Sequence, residues 1–85
     1  MTVTVFVANF PEFSALVEAS RQTVGCTVHE PQAGYWRIEA AEELHFNRKA
    51  LGLKPALWNS ALSGGFLGEI LEYGRDDLRI GTRPA

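Results

Sequence analysis

Glu42 and His45, three residues apart, have the Glu-x-x-His spacing of side chains that could bind a metal. On a helix, residues three apart share a face, and two such Glu-x-x-His pairs with further carboxylates hold two iron ions in helical bundles. Here the neighbouring residues alternate between apolar and polar, which predicts a strand and places residues three apart on opposite faces. We therefore expect no metal site and a solvent-facing His45.

The other reactive side chains are scattered. Cys26 and His29 are also three apart in a predicted strand, and no serine or cysteine lies where His29 could activate it. A single cysteine excludes an internal disulfide and zinc sites built from several cysteines. We expect Cys26 to pack as a small apolar residue. An enzyme that uses His29 or His45 stays an alternative, and it predicts a pocket with a perturbed pKa around one of them.

A glycine-rich stretch, Ser63-Gly64-Gly65-Phe66-Leu67-Gly68, has the wrong position for a phosphate loop. Phosphate loops follow a strand and open a helix, whereas these glycines follow a predicted helix and precede a strand. They predict a helix stop and a tight turn. Asp76-Asp77 is typical of a hairpin turn, where aspartate makes local hydrogen bonds. With so few candidate catalytic groups, we expect a binding protein that is not an enzyme and holds no cofactor.

Composition limits the partners of the chain. Its 85 residues are 46% hydrophobic and 21% charged, which predicts a single globular domain over residues 1–85. The net charge of −2 gives no basic face for nucleic acid. No apolar run approaches the roughly 18 residues that span a membrane. The start of the chain has no leader-like segment, so we expect a cytoplasmic protein.

Hydrophobic spacing predicts the elements that carry these residues. Strands are expected over residues 2–8, 26–30, 35–39, 43–46, 66–73 and 78–80, with turns at 31–34 and 74–77 and a loose tail over 81–85. A first helix is expected to be capped by Asn9 and stopped by Gly25, and to bury Phe13, Leu16, Val17, Ser20 and Val24.

A short helical turn is expected over residues 47–51, broken at Gly52. A second helix opens at Pro55 and uses Leu57, Trp58, Ala61 and Leu62 before it stops at Gly64-Gly65. The order β-α-β-β-β-α-β-β predicts a small α+β domain with two helices packed on a largely antiparallel sheet.

Several short segments occur in a characteristic order. They are Trp36-Arg37-Ile38-Glu39-Ala40, Glu43-Leu44-His45-Phe46-Asn47-Arg48-Lys49, Leu51-Gly52, Leu62, Gly68-Glu69-Ile70 and Leu78-Arg79-Ile80. They match an apolar-basic-Ile-x-Ala strand, a Glu-Leu turn into a second strand, a basic pair that opens a helix, and an acidic turn before a last strand. Over nearly its whole length the chain thereby resembles the effector, or coupling, proteins of soluble bacterial di-iron monooxygenases, which act on methane, phenol, toluene and alkenes.

The resemblance implies a regulatory protein that has no activity alone and docks on the hydroxylase component above its buried di-iron centre. Docking would tune oxygen activation and substrate access there. The resemblance also implies that the segment after the second helix faces the hydroxylase, with exposed apolar groups such as Phe66 or Leu67. We call residues 62–67 the docking segment; its members are Leu62, Ser63, Gly64, Gly65, Phe66 and Leu67.

The family pattern often has polar or bulkier side chains where this chain has Gly64 and Gly65, and we hypothesise that glycine leaves a wider or more mobile passage. The segment over residues 49–52 is shorter than the family pattern by about one helical turn. The N-terminal tail of some members is nearly absent, so gating is expected to rely on the folded body. The alternative function is a small-molecule-sensing α+β domain, which predicts a pocket between helix and sheet with converging polar groups.

Overall fold

The computed structural model describes residues 2–82, and within them the chain forms strands and helices in mixed order. The strands are β1 (Val3–Ala8), β2 (Cys26–Gln32), β3 (Tyr35–Ala40), β4 (Glu43–Asn47), β5 (Phe66–Leu67), β6 (Glu69–Tyr73) and β7 (Asp77–Gly81). The helices are α1 (Ser14–Gln22), entered through a 3₁₀ turn (Pro11–Phe13), α2 (Arg48–Leu51) and α3 (Pro55–Ser60). The predicted α+β class is confirmed.

The strands form two antiparallel sheets. One has four strands in the order β2-β3-β1-β5, and the other has three in the order β4-β7-β6. The sequence predicts one strand over residues 66–73, and this prediction is wrong at Gly68. The backbone there has φ +135°, and an added Cβ would lie 2.9 Å from the carbonyl oxygen of Gly81. The chain leaves one sheet and enters the other at this residue.

Both sheets contribute to one hydrophobic core. Val3, Val5 and Val7 alternate along β1 and are buried, as predicted, because this strand lies inside its sheet. Buried side chains of β3, α1 and the three-stranded sheet complete the cluster, and they include Ile38, Ala40, Leu16, Leu44, Phe46, Leu78 and Ile80. We call this side of the four-stranded sheet its inner face, and the side that carries Phe6 its outer face.

Helix α1 differs from the prediction at both of its ends. Asn9 does not cap the helix; its side-chain oxygen accepts a hydrogen bond of 3.0 Å from the indole nitrogen of Trp36. Val24 is 100% exposed because α1 ends at Gln22, before the helical spacing reaches it. Phe13, Leu16, Val17 and Ser20 are buried as predicted.

Strand β2 extends to Gln32, so the predicted stop at Pro31 is wrong. Because β2 is the edge strand of its sheet, Pro31 can lie where no neighbouring strand needs its backbone N–H. The pairing with β3 shifts between His29 and Gln32, which absorbs the local irregularity.

Helices α2 and α3 connect the two sheets. The side chain of Asn47 caps α2 by accepting from the backbone nitrogen of Ala50, and the helix ends at Gly52 as predicted. In α3 the buried Trp58 donates from its indole nitrogen to the carbonyl of Gly74, 3.0 Å away. The hydroxyl of Tyr73 donates to the carbonyl of Trp58, so α3 is tied to the end of β6.

The predicted loose tail starts too early. Gly81 is the buried last residue of β7, and the backbone nitrogen of Thr82 donates to the carbonyl of Glu42. Residues 83–85 lie outside the described residues. Among residues 2–82, none of the helices has the length and apolar character needed to cross a membrane.

Candidate docking surface

The outer face of the four-stranded sheet carries a row of three directly opposed side chains. Phe6 of β1 pairs with Arg37 of β3, and Arg37 pairs with His29 of β2. Helix α1 packs against the inner face instead, where Leu16 meets the core. Tyr35, at the start of β3, adds a second aromatic ring that is 40% exposed.

The docking segment runs along β1 at the edge of this face. After α3 the chain turns, with the backbone nitrogen of Gly65 donating to the carbonyl of Leu62. The backbone nitrogen of Phe6 then donates to the carbonyl of Gly65, 3.0 Å away. The segment is therefore fixed to β1 by main-chain hydrogen bonds before β5 begins.

Gly64 is in close contact with its neighbours. A Cβ added there would overlap the carbonyl oxygen of Phe6 and would lie 2.8 Å from a ring carbon of Tyr35. The missing side chain at Gly64 therefore allows the backbone to approach β1, and the hypothesis of a wider or more mobile passage stays a prediction. Gly65 does face open space, and its φ of +98° suits glycine.

Some residues of the docking segment pack against the core, and others are exposed to solvent. Phe66 lies opposite Val5 and packs against the core, whereas Leu67 lies opposite Thr4 on the outer face. Leu67 is 60% exposed, which confirms the expected exposed apolar group at this residue but not at Phe66. Leu62 also packs against the core, and Ser63 is exposed.

A cavity of about 340 Å³ lies beside Gly64 on the outer face. Its lining combines aromatic, small and polar residues: Phe6, Tyr35, Gly64, Ala33, Arg37, His29, Gln32 and Glu30. At its border, His29 hydrogen-bonds through Nε2 to Glu39, and Nε of Arg37 lies 3.5 Å from the same carboxylate oxygen. Sequence reasoning did not single out Phe6, Tyr35 or Arg37 as site residues, because only the pairing of β1 with β3 brings them together.

Strand β6, which follows Gly68, carries further exposed apolar side chains. Ile70, Leu71 and Tyr73 are all exposed large hydrophobic residues. The strand is an edge strand, and its pairing with β7 shifts between Ile70 and Glu72. Burial of the Tyr73 ring raises the pKa of its hydroxyl.

The candidate catalytic residues do not meet. Cys26 borders the core on the inner face, and His29 lies on the outer face, as the three-residue spacing predicts. Burial raises the pKa of the Cys26 thiol, so the thiolate form is disfavoured. Among residues 2–82, no group of three or more His, Cys, Asp or Glu is placed to hold a metal ion.

His45 is solvent-facing, as predicted, and lies 3.2 Å from a carboxylate oxygen of Asp77. Asp77 also accepts from the side-chain amide of Asn47, 3.0 Å away. Asp76 accepts two hydrogen bonds from Arg48, so the side chains of both aspartates bind residues of β4 and α2 that are distant in sequence, and the predicted local hydrogen bonds are wrong.

A second cavity, of about 330 Å³, lies between α1, α2 and β4. Much of its wall is apolar, with Leu44 and Phe46 among the lining residues. The hydroxyl groups of Ser20 and Thr23, which also line it, donate to carbonyl groups of their own helix. This position between helix and sheet is the one that the small-molecule alternative predicts.

No protein-family model matches the chain, and no curated protein matches it. The class that the structure itself defines is a small α+β domain in which an apolar segment is held on the outer face of a sheet.

Proposed function

We propose that this chain is a non-catalytic effector protein that docks on the hydroxylase component of a di-iron monooxygenase and regulates it. The sequence resemblance suggests this class of partner. The observation that supports docking is Leu67, which is 60% exposed on a segment fixed against β1. Exposed apolar groups that share one face are typical of a protein contact, and Tyr35, 40% exposed, lies on the same face as Leu67.

The docking surface in this proposal comprises the exposed part of the docking segment and the aromatic groups beside it, Phe6 and Tyr35. Leu67 and Tyr35 supply apolar area, and the cavity next to Gly64 allows the partner to interlock with the face. A central apolar group surrounded by polar groups is the usual anatomy of a specific interface. Glu39, Arg37 and His29 provide such a polar border.

Regulation follows from preferential binding. An effector that binds one conformer of the hydroxylase more tightly increases the population of that conformer. A coupling free energy of about 1–3 kcal/mol changes that population about 5- to 150-fold. The metal and the chemistry belong to the hydroxylase, and both proteins act in the cytoplasm.

The test is reconstitution with a di-iron hydroxylase, which the proposal predicts to be encoded beside this chain. Turnover is measured while the ratio of effector to hydroxylase is increased, and we expect stimulation that peaks near one copy per active site. Leu67→Gln should require an effector concentration at least about tenfold higher, since burial of a leucine contributes about 1.5–3 kcal/mol. Equal turnover with and without the protein would refute the proposal.

Val24→Gln is the matched control. Val24 is also an exposed apolar residue, but it lies after α1, away from the docking segment. It should give the same half-saturating concentration as the wild type. If Val24→Gln impaired stimulation as strongly as Leu67→Gln, loss of surface hydrophobicity in general would explain the result, and the docking surface would be wrongly placed.

A small-molecule-sensing domain is the second candidate function, and the cavity between α1 and β4 favours it. Its volume of about 330 Å³ and its apolar residues fit a small apolar ligand. Such a ligand should raise the melting temperature, because it binds only the folded chain. Ala50→Leu, which narrows this cavity, should abolish that increase without affecting stimulation of the hydroxylase.

A further inference from the structure

We infer that the cavity between Gly64 and Arg37 receives a carboxylate side chain of the hydroxylase partner, and that Arg37 binds it. This inference rests on the proposed function and specifies the chemistry of the partner at one point of the contact. The cavity opens on the outer face and shares Gly64 with the docking segment. A partner that covers Leu67 therefore also covers the cavity.

Arg37 has hydrogen-bonding capacity that the described residues do not use. Its Nε lies 3.5 Å from a carboxylate oxygen of Glu39, and its terminal nitrogens donate no hydrogen bond to any of residues 2–82. Arg79, by contrast, donates from Nε and a terminal nitrogen to the two oxygens of Glu43, each at 2.9 Å. Arg48 donates to Asp76 and to two carbonyl groups.

The geometry of the terminal nitrogens of Arg37 favours a carboxylate as the ligand. The terminal nitrogens of a guanidinium group form a planar fork that matches the two oxygens of a carboxylate. Phe6 lies directly opposite Arg37 in the sheet, and the ring of Tyr35 packs against Gly64, so the cavity has aromatic walls. These walls can contact the methylene groups of an incoming Asp or Glu and exclude water from the ion pair, which strengthens it.

Two carboxylates of this chain also lie near the cavity, and neither fills it. Glu39 is hydrogen-bonded to Nε2 of His29 and lies 3.5 Å from Nε of Arg37, and it accepts no hydrogen bond from the terminal nitrogens of Arg37. Glu30 also lines the cavity, and its side chain is exposed to solvent. The incoming carboxylate can therefore accept hydrogen bonds from the two terminal nitrogens of Arg37.

The experiment measures the dissociation constant of the hydroxylase complex by titration calorimetry at low and moderate salt. We compare the wild type with Arg37→Met, Arg37→Lys and the matched control Arg75→Met, which removes an exposed arginine in the turn after β6. Arg37→Met should weaken binding at least about tenfold and reduce the salt dependence. Arg37→Lys should be intermediate, because it keeps the charge but loses the fork.

The outcomes separate this inference from the proposed function. If the wild type does not bind the hydroxylase, the proposed function is refuted, and the inference with it. If the wild type binds but Arg37→Met stays within about twofold of it, with the same salt dependence, only the inference is overturned. Arg75→Met should bind like the wild type, and an equal loss in this control would also overturn a specific role for Arg37.

Discussion

The two sheets differ in how the side chains on their outer faces are paired. For the three-stranded sheet, the outer face is the side that carries Arg79 and Asp77. On the three-stranded sheet, charged groups pair with one another: Arg79 binds Glu43 through two hydrogen bonds of 2.9 Å, and Asp77 accepts from Asn47. On the four-stranded sheet, the terminal nitrogens of Arg37 make no such bond among residues 2–82, and Leu67 is largely exposed.

The pairing of side chains distinguishes a face that is stable in water from a face that gains free energy by binding a partner. Side chains that satisfy one another gain little from a further contact, because a partner must first break their hydrogen bonds. Exposed apolar groups and free guanidinium nitrogens gain the most when a complementary surface covers them. The outer face of the four-stranded sheet therefore offers the docking face, and the paired charges of β4 and β7 form a solvated face, next to the exposed apolar side chains of β6.

The largest effect is expected at Gly64, where the docking segment rests on β1. Gly64→Thr should lower the free energy of unfolding by about 3 kcal/mol, because its side chain must displace the backbone of Phe6 and the ring of Tyr35. Urea denaturation of the purified variant measures this change.

Gly74→Ala is the control for Gly64→Thr, in the turn of the three-stranded sheet. An added Cβ there meets no atom within 4 Å, so the free energy of unfolding should change by less than about 0.5 kcal/mol. If both variants were equally stable, Gly64 would not be held tightly, and the docking segment would be less rigid than the structure indicates.

The second prediction concerns acid and the solvated face. Hydrogen bonds from Arg79 hold the pKa of Glu43 below its usual value, and hydrogen bonds with Asn47 and His45 do the same for the pKa of Asp77. Since both values are lower in the folded chain than in the unfolded chain, the stability they contribute is fully present above the unfolded values of about 4. It is lost as the pH falls through the lower, folded values.

Denaturation midpoints in urea between pH 7 and pH 2.5 test this prediction. The double variant Glu43→Gln, Asp77→Asn should lose less stability on acidification than the wild type. Glu12→Gln, at an exposed residue before α1, should keep the acid dependence of the wild type. An unchanged acid dependence in the double variant would contradict the assignment to this face.

The smallest effect is expected for Arg79→Met on partner binding. Because Arg79 already binds Glu43 on the solvated face, its loss should leave the dissociation constant of the hydroxylase complex within about twofold of the wild type. The same calorimetric titration used for Arg37→Met measures it. A loss as large as that of Arg37→Met would show that both outer faces contact the partner.

Local patterns predicted most of the fold. The alternation of Val3, Val5 and Val7 identified β1, and the buried stripe of α1 was correct up to Ser20. The errors lie at residues whose backbone conformation depends on tertiary structure. Pro31 continues β2 because that strand is at an edge, and Gly68 divides a run of strand-forming residues because the chain crosses between sheets there.

The candidate site was only partly predictable. The docking segment was selected by resemblance, and the exposure of Leu67 agrees with that selection. Arg37 and Tyr35 are distant in sequence from the docking segment, and no spacing rule connects them to it. The one available signal was Phe6, a large apolar residue on the otherwise polar face of β1.

Gly64 within the docking segment and Gly68 directly after it have a consequence for affinity. β5 has only two residues, too few to persist without support, and its order depends on the contact of Gly64 with β1 and on the crossing at Gly68. The conformational entropy of this segment is therefore lost when the chain folds and not when it meets its partner. A preorganised contact of this kind gives tighter binding for the same buried area than a loop that becomes ordered only in the complex.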